Sequence, residues 1–106
     1  MEKIKEMSID LETYSDVDIK KSGVYKYAES ENFEILLFAV SINGGDVLVY
    51  DLACGDVLPD EILDAIVSDD IIKWAFNASF ERICLSYWMK RNYPCLLYTS
   101  DAADEL

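Results

Sequence analysis

Apolar and polar positions change their period several times along this chain, and each change marks an element. Met7, Ile9 and Leu11 alternate with Ser8, Asp10 and Glu12. That is the period of two of an extended chain, and it predicts a first strand over residues 4–11. Residues 14–32 are mixed and polar, with Gly23 among them. They predict a long connection with short helical turns from Asp18 and from Val24, and a connection of that length is usually functional or flexible. "FEILLFAVSI" and "VLVYDL" predict two further strands, and the "NGGD" between them predicts a hairpin turn, because Asn and Gly tolerate positive φ. The first of these is apolar almost throughout, so it should be central and covered on both faces. Pro59 opens a helix with Asp60 and Glu61 in its first turn, where the helix dipole favours acids, and Ile62, Leu63, Ile66 and Val67 form its inward stripe. "IIKWAF" predicts a fourth strand. A second helix follows over residues 78–90, with Phe80, Ile83, Cys84, Tyr87 and Trp88 on one face and Asn77 or Ser79 at its start.

The predicted order is β-β-β-α-β-α. An antiparallel meander is followed by a helical crossover to a strand that can pair in parallel, which is an α/β arrangement. After Pro94 the chain reads "CLLYTSDAADEL", without the strand or helix expected next. Residues 95–105 resemble the translation of a transposase-type sequencing-library adaptor joined to a truncated gene. The expected organisation is therefore one domain part over residues 1–94 and a non-native tail over residues 95–106.

Composition narrows the chemistry. The 106 residues are 52% hydrophobic with a formal charge of −12 and no histidine. A folded, acidic domain of this kind has no general basic surface for gripping nucleic acid. Histidine bases, histidine metal ligands and Ser-His-Asp triads are excluded outright. Cys54, Cys84 and Cys95 lack zinc-site spacing, and their odd number argues against a disulfide framework. They read as reduced, mostly buried thiols of a cytosolic protein. "MEKIKEM" has no signal-peptide core, and no run approaches the roughly 20 apolar residues that span a bilayer.

Two segments carry candidate chemistry. Asp10 and Glu12, two apart on a strand, project to the same side about 6–7 Å apart at roughly 3.3 Å rise per residue. Such a pair suits hard cations such as Mg²⁺ or Mn²⁺, although a solvated strand end carries acids just as readily. "WAFNASFERICL" places Asn77, Phe80 and Glu81 where the fourth strand enters its helix. If that strand pairs in parallel with the first, Glu81 approaches Asp10 and Glu12 at the carboxyl ends of the strands, where ligands bind in such sheets. The plainer reading makes Glu81 a first-turn acid facing the helix dipole.

Together "IDLETYSD" and "FNASFE" resemble the first and second motifs of the DEDD-type 3′–5′ exonucleases, which have a ribonuclease-H-like fold. The texture of "DLETYSDVDIKKSGVYKYAES" and "FEILLFAVSING" is most similar to the N-terminal proofreading domain of phage-type family A DNA polymerases, over about residues 5–94. The resemblance implies two divalent ions, Mg or Mn, a single-stranded 3′ end of DNA as substrate, and hydrolysis of its terminal phosphodiester. It implies that Asp10 bridges both metals and that Glu12 holds the one carrying the attacking water. Glu81 takes the place of the second-motif Asp, and Asn77 positions that loop and the substrate strand. Thr13 and Tyr14 meet the terminal nucleotide. Tyr14 either stacks on a base or covers the edge of the core, and Phe80 packs beneath the site. The resemblance further implies a C-terminal polymerase region in the intact protein, no membrane, and the cytoplasm of a bacterial host as location.

This chain departs from the family pattern in three ways. Glu81 is one methylene longer than the usual Asp. Phe76 stands where His is common. The third motif, with the last metal-binding Asp, should lie beyond Pro94 and is missing, as are the fold's last strand and helix. The 106-residue chain is therefore expected to be inactive by itself. Two other readings stay open: a stand-alone DEDD exonuclease acting on DNA or RNA, and a non-catalytic acidic module that binds a protein. Lys20, Lys21 and Lys26 form a modest basic cluster that either touches phosphates or is a solvated loop face.

Overall fold

The computed structural model describes residues 3–96 and the backbone of residues 103–105. Strand β1 (Glu6–Tyr14) is followed by helix α1 (Ile19–Glu29), then strands β2 (Glu34–Ile42) and β3 (Val47–Asp51). A short 3₁₀ turn (Leu52–Cys54) leads to helix α2 (Asp60–Val67), strand β4 (Ile72–Ala75), helix α3 (Ala78–Asn92) and a three-residue strand β5 (Ala103–Glu105). One mixed sheet has the order β3-β2-β1-β4-β5. The meander β1–β2–β3 is antiparallel and β4 pairs with β1 in parallel, so the α/β plan read from the periodicity holds.

Three expectations about elements are corrected. First, β1 continues past residue 11 to Tyr14, so Asp10 and Glu12 lie inside the strand and not at its end. The apolar alternation stops at Leu11, but β2 keeps supplying ladder partners as far as Tyr14↔Glu34. Second, β2 is covered on one face only. Phe38 and Val40 are fully buried, while Leu37, Ala39 and Ser41 on the other face stay half-exposed. Third, β5 follows Pro94 and pairs in parallel with β4, because the outer edge of β4 offers unpaired backbone groups to any extended segment. Residues 97–102 and 106 of the suspected tail lie outside the described residues.

Local chemistry explains the connections. Asp18 caps α1 by accepting from the Lys20 N–H at 2.9 Å, and Gly23, at φ 85° and ψ 168°, breaks α1 into two short helical pieces. The hairpin turn has positive φ at both central residues, Asn43 (52°) and Gly44 (73°), and the Gly45 N–H closes it onto the Ile42 carbonyl at 2.9 Å. Asn43 does more than turn the chain. Its side-chain oxygen accepts from the N–H groups of Lys5 and Glu6, and its amide nitrogen donates to the Lys3 carbonyl. The hairpin thereby pins the entry to β1.

A single core joins all the helices to one face of the sheet. Met7, Ile9 and Leu11 of β1 pack with Phe38 and Val40 of β2, Ile62, Leu63 and Ile66 of α2, and Ile83, Cys84 and Met89 of α3. Arg91, near the end of α3, donates to the carbonyls of Phe33 and Ser30 at 2.9 and 3.0 Å, tying the helix to the loop before β2. Among the cysteines only Cys84 is buried. Cys54 and Cys95 are exposed, which corrects the expectation of mostly buried thiols. Cys54 sits in the surface turn after β3, where there is no layer to cover it. Among the described residues, no helix is long and apolar enough to cross a membrane.

Candidate functional site

The parallel ladder between β1 and β4 ends at Ile9↔Ala75. Asp10 is the first β1 residue beyond it, and on the β4 side the chain turns through Phe76 and Asn77 into α3. Both candidate segments therefore leave the same carboxyl end of one parallel strand pair, the position where such sheets bind ligands. Asp10 and Glu12 share the exposed face of β1 with Ser8, as the period of two requires. Immediately after Glu12 the register with β2 shifts: Glu12 faces Leu37 while Thr13 faces Ile35, leaving Leu36 as an extra residue. A bulge of this kind increases the local twist and re-aims the side chains beside it.

Thr13 is half-buried, and its hydroxyl hydrogen-bonds the Tyr27 hydroxyl at 2.9 Å. Tyr14 is 51% exposed, so the ring is open to solvent and does not seal the core. Around this strand end, Ser15 donates to the Tyr27 carbonyl at 2.8 Å. Asp16 accepts from Ser30 and Asn32 at 2.5 and 2.8 Å. Those two donors hold the Asp16 carboxyl below the usual aspartate range.

On the other segment, Asn77 is exposed and caps α3, its side-chain oxygen accepting from the Phe80 N–H at 3.4 Å. Phe80 is half-buried against the core margin, with its ring 6.1 Å from that of Tyr27. Phe76 is 89% exposed and contributes nothing to the core.

Glu81 is the anomaly of the site. It lies in the first turn of α3, is only 6% exposed, and its Oε2 is buried with no hydrogen-bond partner. Burial pushes its carboxyl above the usual glutamate range. The backbone of Glu81 and of Asn77 opposes this by hydrogen bonding, and the charge of Asp10 adds to it. Asp10 and Glu81 thus interact electrostatically although 71 residues separate them in the chain. Burial and the nearby Glu81 charge push the Cys84 thiol up to about 12, which leaves it a neutral core residue. Glu81 also lines a small crevice of about 20 Å³ with Ile9, Lys73, Ala75 and Ala78. Lys73, 7% exposed, turns its ammonium away to the Ser68 carbonyl.

The fit to a divalent cation is partial. A buried carboxylate oxygen without a partner, under the charge of a second carboxylate, is a donor set that a hard cation would relieve. Asp10 and Glu81 are the residues that would hold it, with Glu12 on the same strand face as Asp10. Among the described residues, however, no three acid or thiol side chains gather closely enough to form a complete metal site.

Sequence reasoning missed Tyr27, Asp16 and the Ser30–Asn32 pair. Their contacts span 12 to 16 residues and leave no short-range signal. Lys20, Lys21 and Lys26 are all exposed on α1, which suits a solvated face and phosphate contact alike.

The chain is 52% identical over 83 residues to a DNA polymerase of Bacillus phage SP02, a match that covers 78% of the chain and 13% of that polymerase. The likeness supports a segment derived from a phage DNA polymerase. No protein-family model matches the chain, and no solved structure does.

Proposed function

We propose that this chain is part of the 3′–5′ proofreading exonuclease of a phage DNA polymerase. In this reading Asp10, Glu12 and Glu81 are its share of a two-metal site for hydrolysing the terminal phosphodiester of DNA. The observation that carries the reading is a buried, unpartnered Glu81 carboxylate, on which the charge of Asp10 acts, at the carboxyl end of a parallel strand pair. The likeness to a polymerase far longer than the chain favours a polymerase segment over a stand-alone exonuclease.

When bound, the ions would supply a hydroxide-like nucleophile and neutralise the leaving oxygen. The chain's own residues do the rest. β1 and α3 bring the carboxylates to one end of the sheet, and Asn77 fixes the first turn of α3. Tyr14 offers an open aromatic face, which suits a base without sequence preference. Divalent ions at the carboxylates also reconcile an acidic protein with a polyanionic substrate, because the local charge is then set by the metals.

Mn²⁺ titration of the ¹⁵N-labelled 106-residue chain tests the reading. Paramagnetic broadening should concentrate on the amides of residues 10–12 and 81, and Asp10→Ala should weaken it at least about tenfold. Diffuse broadening over the acidic surface, unchanged in Asp10→Ala, would return the chain to the class of non-catalytic acidic modules.

A further inference from the structure

Tyr27 touches both candidate segments at once. Its hydroxyl meets the Thr13 hydroxyl at 2.9 Å, and Thr13 is the chain neighbour of Glu12 on the far side of the bulge. Its ring lies 6.1 Å from that of Phe80, tilted by 48°, and Phe80 is the chain neighbour of Glu81. The ring is also braced from a third direction by Phe33, edge-on at 5.8 Å. The backbone of Tyr27 is held as well, because its carbonyl accepts from Ser15 at 2.8 Å. A bulge re-aims the side chains beside it, and the Tyr27 bond sits on Thr13, the first β1 residue paired beyond this one.

We infer that Tyr27 is a positioning residue that sets Glu12 relative to Glu81 by gripping their neighbours, Thr13 and Phe80. The inference rests on the metal-site reading above. A tyrosine whose ring merely fills the core margin has no need of the Thr13 hydroxyl, since a half-buried phenol can bond to water instead. The ring contact and the hydroxyl contact are therefore separable.

The same Mn²⁺ titration separates them. Tyr27→Phe keeps the ring and removes the hydroxyl. It should leave the melting temperature nearly unchanged while weakening Mn²⁺ binding about three- to tenfold, the scale of losing one supporting hydrogen bond. Thr13→Val should show the same loss, and Thr13→Ser, which restores the hydroxyl, should bind as the parent does. The double variant Tyr27→Phe/Thr13→Val should lose no more than either single change, because both remove one interaction.

Parent-like binding in Tyr27→Phe and Thr13→Val would overturn the positioning role and leave the metal site standing. A loss in Thr13→Ser equal to that in Thr13→Val would overturn it too, by showing that shape and not the hydroxyl matters. Absence of localised broadening in the unaltered chain would remove the metal-site reading and this inference with it.

Discussion

On one face of the sheet Met7, Ile9, Leu11, Phe38 and Val40 are buried beneath the helices. On the other, Ser8, Asp10 and Glu12 are exposed, and the neighbouring Val47 and Val49 on β3 are 64% and 58% exposed. The same strands make both faces, and alternate residues of β1 belong to different environments. The covered face holds most of the apolar burial that stabilises the fold. The open face holds carboxylates beside uncovered apolar area. Glu81 stands at the boundary: it is rooted in the covered layer through α3, yet Asp10 of the open face acts on it. Stability and candidate chemistry are thus divided between the faces and meet at one strand end.

The sharpest way to break this contrast is Phe38→Ala. Its ring is fully buried, and such truncations cost about 3–5 kcal/mol, a large part of the roughly 5–15 kcal/mol that holds a typical domain. Urea denaturation checks it, and a loss below about 1 kcal/mol would show that the covered face is not close-packed.

Glu81→Gln probes the boundary with a smaller effect. Because the folded Glu81 carboxyl lies above the ordinary glutamate range, its contribution is fully present below that range and is lost as pH rises through the folded value. Ionising the buried carboxyl costs stability. Glu81→Gln should therefore raise stability by about 1 kcal/mol at pH 7. It should also abolish the gain in stability that the parent shows on mild acidification toward the glutamate range. Lower stability of Glu81→Gln at pH 7 would mean that the carboxylate is better satisfied than its buried oxygen indicates. The response of Asp16 lies in a separate window, below the ordinary aspartate range, because its carboxyl is held down.

The smallest effect is expected on the open face. Val49→Thr should change stability by no more than about 0.5 kcal/mol, as for other exposed positions, and should slow self-association measured by light scattering. A loss near that of a core truncation would show that the open face is packed after all.

Much of this was legible in the residues themselves. The alternation of Met7, Ile9 and Leu11 marks β1 as surely as the hairpin signal of Asn43 and Gly44 marks the β2–β3 turn. Helical turns starting at Asp18 and at Val24 were read correctly, with Gly23 breaking the helix between them. These are local signals, set by side-chain period and by the φ values that Asn and Gly accept. The candidate acids were legible as residue types at suggestive places, but nothing local distinguished Glu81 from an ordinary first-turn acid.

Other features were decided only by packing. The extension of β1 to Tyr14 comes from its pairing with β2, after its own alternation has ended. The uncovered face of β2 follows from where the helices lie, which composition does not specify. The Tyr27 grip on Thr13 and Phe80 spans three elements and has no sequence signature.

The amino-acid order by itself therefore determined most of the elements and the identity of the acids, because these depend on neighbours within a few residues. The tertiary structure alone decided that Glu81 is buried with an unpartnered oxygen and that the charge of Asp10 acts on it. Desolvation and Coulomb forces depend on distance in space, and the residues that impose them here lie far apart in the chain.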